Sequence, residues 1–371
     1  MSSRNGQTID RRVLITGGAG YIGSHLVRKL LARGHRVRVV DTYLYGSHGL
    51  YDLFGHPRLE LIEGDVRDRA LMTAAATGMD GIIALAALVG DAACDLNVEE
   101  TRSINLEATQ VLIDVCRRTS ATRLVFASSC SVYGANGDGL LTEDSWLNPV
   151  SFYATTRIKS EELLNEAKGD LHVTILRLST VFGLSSRMRF DLLVNMFTAN
   201  AITKGNIRVL GGGQWRPNLH VQDAANAFRL AFEADSPPNS GEVFNVGSDA
   251  SNYTVLQVAE LVCRELPQTR IHVAPSADNE RNYRVSFEKI QRVLRYRTRF
   301  KVEDGIQEIA QALGNGTFVD QGSERYDNFR YLKTHGFGKL SNGSGKPCRP
   351  GFHVGDGILG QGAVAGGTLA D

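Results

Sequence analysis

The chain has 371 residues, a length that can bury a large hydrophobic core and form two domains. Its 41 basic and 40 acidic side chains leave a net charge of +1, so no overall electrostatic field favours a nucleic acid or a membrane surface. We therefore expect neither as a partner, and any anionic ligand must bind to a local group of cations.

The cysteines and the apolar runs place further limits on the class of protein. The five cysteines are odd in number and widely spaced, and none forms a C-x-x-C pair, which argues against a disulfide framework and a zinc site. The first residues lack the apolar core of a signal peptide, and the longest apolar run, 82–89, is too short to span a bilayer. These features predict a cytoplasmic protein without a metal.

The first 180 residues alternate short β-branched runs with helical stretches, as expected for βαβ units around a parallel sheet. The predicted strands are 13–16, 36–40, 58–62, 81–85, 123–127 and 172–177. Apolar residues recur at helical spacing over 25–32 and 106–117. The pattern predicts a doubly wound α/β fold of the Rossmann type.

Beyond residue 183 the pattern loosens into helices, short strands and turns marked by glycine or proline, which indicates a smaller α/β domain. We predict a dinucleotide-binding domain over 1–180 with a returning segment near 214–235, and an interleaved substrate-binding domain over 181–335. Residues 336–371 include 11 glycines and little apolar periodicity, so we expect a disordered tail there.

The first predicted strand leads into GGAGYIG at 17–23 and then into a helix. Glycine suits this turn because the backbone needs unusual dihedrals and because a β-carbon would hold it away from a pyrophosphate at the helix N-terminus. The second strand ends at Asp41, 18 residues beyond Gly23, where a carboxylate would bind both ribose hydroxyls and repel a 2′-phosphate. This arrangement predicts NAD, rather than NADP or a structural glycine turn. Asp65, after the third strand, would either meet the adenine amino group or cap a helix.

The fifth strand leads into SSCSVYG at 128–134, and PVSFYATTR at 149–157 places Tyr153 24 residues after Ser129. Together with TGGAGYIG, Asp41, GDVRD and LAA, these motifs resemble the nucleotide-sugar epimerase/dehydratase branch of the extended short-chain dehydrogenase/reductases. The resemblance covers about residues 12–310. It implies NAD as cofactor, a nucleotide-diphosphate sugar as substrate, and a homodimer formed through the helices at 106–117 and 153–167.

The resemblance also implies roles for individual residues. Ser129 would hydrogen-bond the sugar oxygen that is oxidised, and Tyr153 would exchange its proton, unless Tyr153 is merely an aromatic packed at a helix start. A phenol titrates near ~10, so it needs an adjacent positive charge to act as a base near neutrality. The family supplies a lysine four residues later, where this chain has Arg157. Its permanent charge still favours the phenolate, but its planar fork places donors differently, so activity is reduced or the pocket is rearranged.

The implied NAD site is large and comes from several strand ends. Its residues are Gly17, Gly20, Tyr21, Ile22, Gly23, Asp41, Asp65, Val66, Ala86, Ala87, Ser128, Tyr153 and Arg157.

The substrate site is implied by fewer matches. Arg216 and Arg281 correspond to two family arginines that grip the substrate diphosphate, and guanidinium forks suit phosphate oxygens. Thr180 stands where the family has an asparagine that contacts the sugar. Asn195 is a further candidate for the phosphate or sugar, with a helix-surface amide as the alternative.

The residues after Ser129 bear on the reaction. Dehydratases of this branch place an Asp-Glu pair there, whereas this chain has Cys130 and Ser131, which disfavours 4,6-dehydration. Net reduction usually uses NADPH, which Asp41 disfavours. We therefore predict an epimerase that inverts C4 through a transient 4-keto sugar. Cys130 is either an acid in a 5-epimerisation or a buried thiol. The alternatives are a reductase or dehydratase of the same family and, in another class, a non-catalytic NAD-binding sensor.

Overall fold

The structure, a computed structural model, describes residues 10–234, 241–275, 281–318 and 320–337. Its strands are β1 (Arg12–Thr16), β2 (Arg36–Asp41), β3 (Leu59–Glu63), β4 (Gly81–Ala84), β5 (Arg123–Ser129), β6 (Ala135–Leu141), β7 (His172–Leu178), β8 (Thr180–Phe182), β9 (Asn206–Leu210), β10 (Trp215–His220), β11 (Glu242–Val246), β12 (Asn252–Thr254), β13 (Arg270–Ala274) and β14 (Asn282–Val285).

The helices are α1 (Gly23–Ala32), α2 (Arg69–Ala76), α3 (Asp91–Asp95), α4 (Val98–Arg102), α5 (Ala108–Arg118), α6 (Phe152–Ala167), α7 (Leu193–Lys204), α8 (Val221–Glu233), α9 (Val255–Glu265), α10 (Glu288–Val293), α11 (Val302–Gly314) and α12 (Asn328–His335). A π-helical turn, Ser103–Glu107, joins α4 to α5.

A parallel sheet of seven strands, in the order β11-β7-β5-β4-β1-β2-β3, forms the centre of the fold. The six strands predicted from the sequence are all present, and the predicted doubly wound α/β fold is confirmed. The seventh strand, β11, comes from beyond residue 180. The first unit is therefore built from both the first half of the chain and the returning α8 and β11.

Both faces of this sheet are buried. Val13 and Ile15 of β1 pack into the core that contains residues of α1 and α8, whereas Leu14 points to the opposite core, which contains residues of α2, α5 and α6. Because side chains alternate along a strand and helices cover both faces, the strand must be apolar throughout. This explains the continuous β-branched runs in the sequence.

The second unit contains three small sheets, β12-β10-β8, β13-β9 and β14-β6. Helices α7, α9 and α11 surround its core, which includes Phe197, Val258 and Ile306. After this unit the chain returns, and α12 packs against α3 of the first unit. The predicted tail, 336–371, begins directly after α12, and its residues 338–371 lie outside the described residues.

A buried ion pair ties α6 to β7. Arg177 Nη2 lies 2.6 Å from Glu161 Oε2, and the two side chains are only 5% and 4% exposed. Arg177 also donates a hydrogen bond to the Tyr133 hydroxyl. Burial opposes the charge of Arg177, but the hydrogen bonds and charge of Glu161 outweigh it and raise the arginine pKa. Arg177 therefore keeps its charge inside the protein because its partner Glu161 is buried beside it.

We expect Glu161→Gln to lower the free energy of unfolding by about 3–5 kcal/mol, because it leaves the buried charge of Arg177 without a counter-charge. The matched control is Glu162→Gln, since Glu162 is exposed on the same helix and its replacement should change stability by less than about 0.5 kcal/mol. Urea unfolding followed by circular dichroism measures both. Equal stability of the two variants would show that the pair contributes nothing.

Candidate active site

One cavity of about 1570 Å³ lies along the carboxyl edge of the central sheet. Of the candidate site residues from the sequence, all except Cys130 and Asn195 line it. The carboxyl ends of parallel strands share one edge of a sheet, which is why motifs far apart in the chain meet here. The second unit forms the facing wall with Thr180, Arg216 and Arg281.

The turn between β1 and α1 forms one end of the cavity. Gly17 has a φ of +74°, and a β-carbon there would lie 2.7 Å from the backbone nitrogen of Ala86. The N-cap residue of α1, Ile22, makes no side-chain hydrogen bond to the helix, and the first helical turn has no acidic residue. The N-terminus of α1 therefore presents its partial positive charge to the cavity, which suits a pyrophosphate.

Asp41 ends β2 beside this turn. Its Oδ2 accepts a hydrogen bond from the backbone N–H of Ala19 (3.0 Å), and its Oδ1 accepts one from that of Tyr43 (2.9 Å). Burial raises the pKa of Asp41, and the two backbone hydrogen bonds oppose that rise. Each oxygen keeps lone pairs for a further donor, as the binding of two ribose hydroxyls requires.

Asp65 lines the cavity next to Val66 but its carboxylate is already engaged. Arg67 donates to both of its oxygens, with Nε 3.0 Å from Oδ1 and Nη2 2.7 Å from Oδ2. The helix cap that the sequence offered as an alternative is instead Asp68, which accepts hydrogen bonds at the start of α2. Contact between Asp65 and an adenine stays a prediction.

Tyr153 and Arg157 lie one helical turn apart on α6, which Ser151 caps. The guanidinium carbon of Arg157 is 5.5 Å from the Tyr153 ring centroid. Its Nη2 donates to the carbonyl oxygen of Asn105 (3.0 Å) and its Nη1 to that of Ala127 (3.3 Å). Burial raises the pKa of Tyr153, and the charge of Arg157 counters it. The cation therefore lies beside the phenol.

The anchor of Arg157 at Asn105 was not predicted from the sequence. Asn105 lies in the π-helical turn, and its carbonyl oxygen accepts hydrogen bonds from both Arg157 and Ser160. A π-helical turn breaks the regular α-helical bonding pattern, so a carbonyl becomes available to side chains. Arg157 Nε is buried and has no hydrogen-bond partner within the described ranges.

Ser128 and Ser129 end β5, and their hydroxyl groups make different contacts. Ser128 Oγ donates to Glu161, whereas Ser129 lines the cavity and its Oγ accepts from the backbone N–H of Ser131 (3.1 Å). Cys130 is fully buried, its thiol contacts the carbonyl oxygen of Arg177 (3.3 Å), and burial raises its pKa. Of the two roles that the sequence offered for Cys130, the structure favours the buried thiol over the acid.

Asn195 also departs from its prediction. Its side chain is fully buried, accepts from the backbone N–H of Gly183 (2.9 Å), and donates to the Tyr21 hydroxyl and the Arg189 carbonyl oxygen. It is therefore neither a cavity residue nor a helix-surface amide. The Asn195 amide holds the segment after β8 against the glycine turn at 17–23, because its hydrogen bonds go to that segment and to Tyr21.

The two diphosphate candidates are in direct contact. Arg216 Nη1 donates to the backbone carbonyl oxygen of Arg281, and its guanidinium carbon lies 5.5 Å from the Tyr283 ring centroid. Arg281 Nη1 lies 3.3 Å from Asp91 Oδ2. Both arginines line the same cavity as Asp41 and the glycine turn.

A third wall, which the sequence did not predict, is formed by the segment after β8 and the C-terminal part of the chain. Arg187 Nη2 donates to Asn328 Oδ1 (2.6 Å), and Asp191 accepts from the Asn328 backbone N–H (3.2 Å) and from Arg189. Burial and the neighbouring Arg189 charge lower the pKa of Arg187 to about 10. In the sequence, only the alternating charges of RMRFD at 187–191 mark this segment. That pattern is not specific to a binding site, so it could not predict this wall of the cavity.

No cluster of three or more His, Cys, Asp or Glu side chains in the described ranges is arranged to hold a metal ion. None of the helices described is both long and apolar enough to cross a membrane.

Comparisons with known proteins agree with this geometry. A family model described as the NAD dependent epimerase/dehydratase family matches residues 13–247. A dTDP-glucose 4,6-dehydratase of Actinoplanes sp. is 30% identical over 322 residues, covering 80% of this chain and 96% of that protein. A UDP-glucose 4-epimerase of Corynebacterium glutamicum is 29% identical over 272 residues, covering 69% of this chain and 80% of that protein.

Solved structures are similar over most of the chain. The dTDP-glucose 4,6-dehydratase DesIV from Streptomyces venezuelae, with NAD and TYD bound, has a TM-score of 0.74 and 26% identity, covering 82% of this chain and 98% of that one. MoeE5 in complex with UDP-glucose and NAD has a TM-score of 0.71 and 27% identity, covering 83% of this chain and 100% of that one.

We expect Asp41→Asn to weaken NADH binding roughly tenfold or more while weakening NADPH binding less, because it removes charge-assisted hydrogen bonds to the ribose and the repulsion of a 2′-phosphate. Fluorescence titration of cofactor-free protein with both dinucleotides measures the ratio of dissociation constants. Glu63→Gln, at the end of neighbouring β3, is the control and should leave that ratio unchanged. If Asp41→Asn left the ratio of the NADH and NADPH dissociation constants unchanged, that result would contradict a role for Asp41 in ribose binding.

Proposed function

Because the chain belongs to the NAD dependent epimerase/dehydratase family, we propose that it is an epimerase that inverts C4 of a nucleotide-activated sugar. This family comprises NAD-dependent epimerases, dehydratases and decarboxylases of nucleotide sugars. The observation that carries the proposal is the phenol of Tyr153 at the cavity surface beside the buried cation of Arg157, with Ser129 in the same cavity.

The residues of the cavity fit NAD. The first turn of α1 has no acidic residue, and the carboxylate of Asp41 retains acceptor capacity. These two features match a pyrophosphate and a ribose diol. Bound NAD would supply a hydride acceptor that takes hydrogen from a sugar carbon and returns it.

Tyr153 acts as the base and acid at the sugar hydroxyl. The charge of Arg157 favours the phenolate, which removes the hydroxyl proton as the carbon is oxidised and gives it back when the keto group is reduced. The two backbone carbonyl bonds to Arg157 fix the charge in place. Ser129 donates a hydrogen bond to the reacting oxygen and so positions it toward Tyr153.

The residues after Ser129 support inversion over dehydration. A dehydration at C4 and C6 needs carboxyl groups to protonate a leaving hydroxyl and to remove a proton from carbon. Cys130 and Ser131 occupy the two positions, and both are buried away from the cavity. A reaction in which the hydride returns to the carbon it left needs neither group, so the chain retains what epimerisation requires.

Arg216 and Arg281 bind the substrate diphosphate in this proposal. DesIV is described with TYD bound and MoeE5 with UDP-glucose, and both have this fold. Bidentate hydrogen bonds from arginine suit diphosphate oxygens. With the diphosphate at these arginines, the sugar extends along the cavity toward Tyr153 and Thr180.

We expect Tyr153→Phe to reduce epimerisation by about 10²–10⁴-fold, because the variant has no group to exchange the hydroxyl proton. The assay incubates purified protein with UDP-glucose or TDP-glucose without added NAD and resolves the epimers by chromatography. NAD released from denatured protein should be the same in variant and wild type. Tyr51→Phe is the control, since Tyr51 is exposed and should not affect turnover. A stable keto product or stoichiometric NADH consumption by wild type would contradict inversion.

The pH profile tests the electrostatic part of the proposal. Burial raises the pKa of Tyr153 and Arg157 lowers it, so Arg157→Gln should raise it further and shift the acidic limb of kcat/KM to higher pH. Each unit of displacement lowers the rate at neutral pH about tenfold. Arg157→Lys retains the charge, so its limb should stay near that of wild type. An unshifted limb in Arg157→Gln would exclude a role for this cation in proton transfer.

A further inference from the structure

The cavity contains a carboxylate that the proposed mechanism does not use. Asp91 is the first residue of α3 and directly follows Gly90, whose φ is 97°. Its Oδ2 faces Arg281 Nη1 at 3.3 Å, whereas its Oδ1 is buried and has no hydrogen-bond partner in the described part of the chain. The side chain as a whole is 29% exposed and lines the cavity.

A buried carboxyl oxygen without a hydrogen-bond donor is unusual inside a protein. Most buried polar atoms are hydrogen-bonded, and an unmet acceptor retains the cost of its desolvation. A carboxylate accepts hydrogen bonds and donates none. A hydroxyl group of a bound ligand would be such a donor, and Asp91 lines the cavity in which that ligand would lie.

The position of Asp91 indicates which part of a substrate supplies this donor. On one side it pairs with Arg281, whose backbone carbonyl oxygen accepts a hydrogen bond from Arg216. On the other side its charge acts on the phenol of Tyr153 and raises the pKa of that group, although less than burial does. Asp91 therefore lies between the two candidate diphosphate-binding arginines and the catalytic phenol, which is the part of the cavity that the sugar must occupy.

We propose that Asp91 is a sugar-binding residue, whose Oδ1 accepts a hydrogen bond from a hydroxyl of the substrate sugar while Oδ2 stays paired with Arg281. This inference rests on the proposed function. The substrate is then a sugar with a hydroxyl group that reaches Asp91. A site that hydrogen-bonds a hydroxyl discriminates against a sugar without that hydroxyl far more strongly than an apolar pocket does. Binding of the sugar would satisfy the oxygen that the protein leaves without a donor.

The proposal predicts different effects on the binding of nucleotide sugars and of nucleoside diphosphates. Asp91→Ala removes the acceptor for the sugar, so UDP-glucose or TDP-glucose should bind roughly tenfold or more weakly. It also removes a negative charge near the diphosphate and relieves Arg281 of its ion pair, so UDP and TDP should bind as tightly as before or more tightly. A merely structural role would weaken all four ligands together.

Isothermal titration of the NAD-loaded protein with UDP, TDP, UDP-glucose and TDP-glucose tests this. If Asp91→Ala folds poorly, Asp91→Asn replaces it, because it retains the shape of the side chain. We expect Asp91→Asn to weaken sugar binding by less than Asp91→Ala does. The control is Asp95→Ala, since Asp95 is exposed on the same short helix. Parallel losses for the diphosphates and the sugars, or no change in either, would overturn the role of Asp91. A wild-type protein that binds the diphosphates but epimerises no sugar would contradict the proposed function alone, whereas one that binds no nucleotide sugar would refute both.

Discussion

The candidate active site depends on a buried cation held beside a phenol. Arg157 is 2% exposed, and its guanidinium is fixed by the backbone carbonyl oxygens of Asn105 and Ala127 rather than by a carboxylate. A carboxylate partner would neutralise the charge, whereas carbonyl dipoles satisfy its hydrogen bonds and leave the charge to act on Tyr153. The π-helical turn is the feature that makes one of these carbonyls available.

The rest of the structure brings ligand-binding groups to the same edge of the sheet. The glycine turn and Asp41 line the cavity, and so do Arg216 and Arg281. The buried pair of Glu161 and Arg177 holds α6, and therefore Tyr153, against the strands.

Local sequence patterns predicted much of this arrangement. Six strands, the glycine turn and the Tyr153–Arg157 spacing are local, so periodicity and motif spacing identify them. The role of Cys130 was left open and Asn195 was misplaced, because a sequence gives residue types near a motif but not which side of the backbone is buried. Asp91, Asn105 and the contact of Asn328 with Arg187 were missed because they depend on tertiary contacts between distant segments. β11 was missed for the same reason.

The central claim is that C4 of the sugar is oxidised beside Tyr153 and is then reduced by the hydride that it lost. UDP-glucose and TDP-glucose carrying deuterium at C4, incubated with the purified protein in ordinary water, test it most directly. The account predicts an epimer that retains deuterium at C4, because the hydride returns to the carbon it left. Mass spectra and NMR showing hydrogen from solvent at C4 of the product would contradict it.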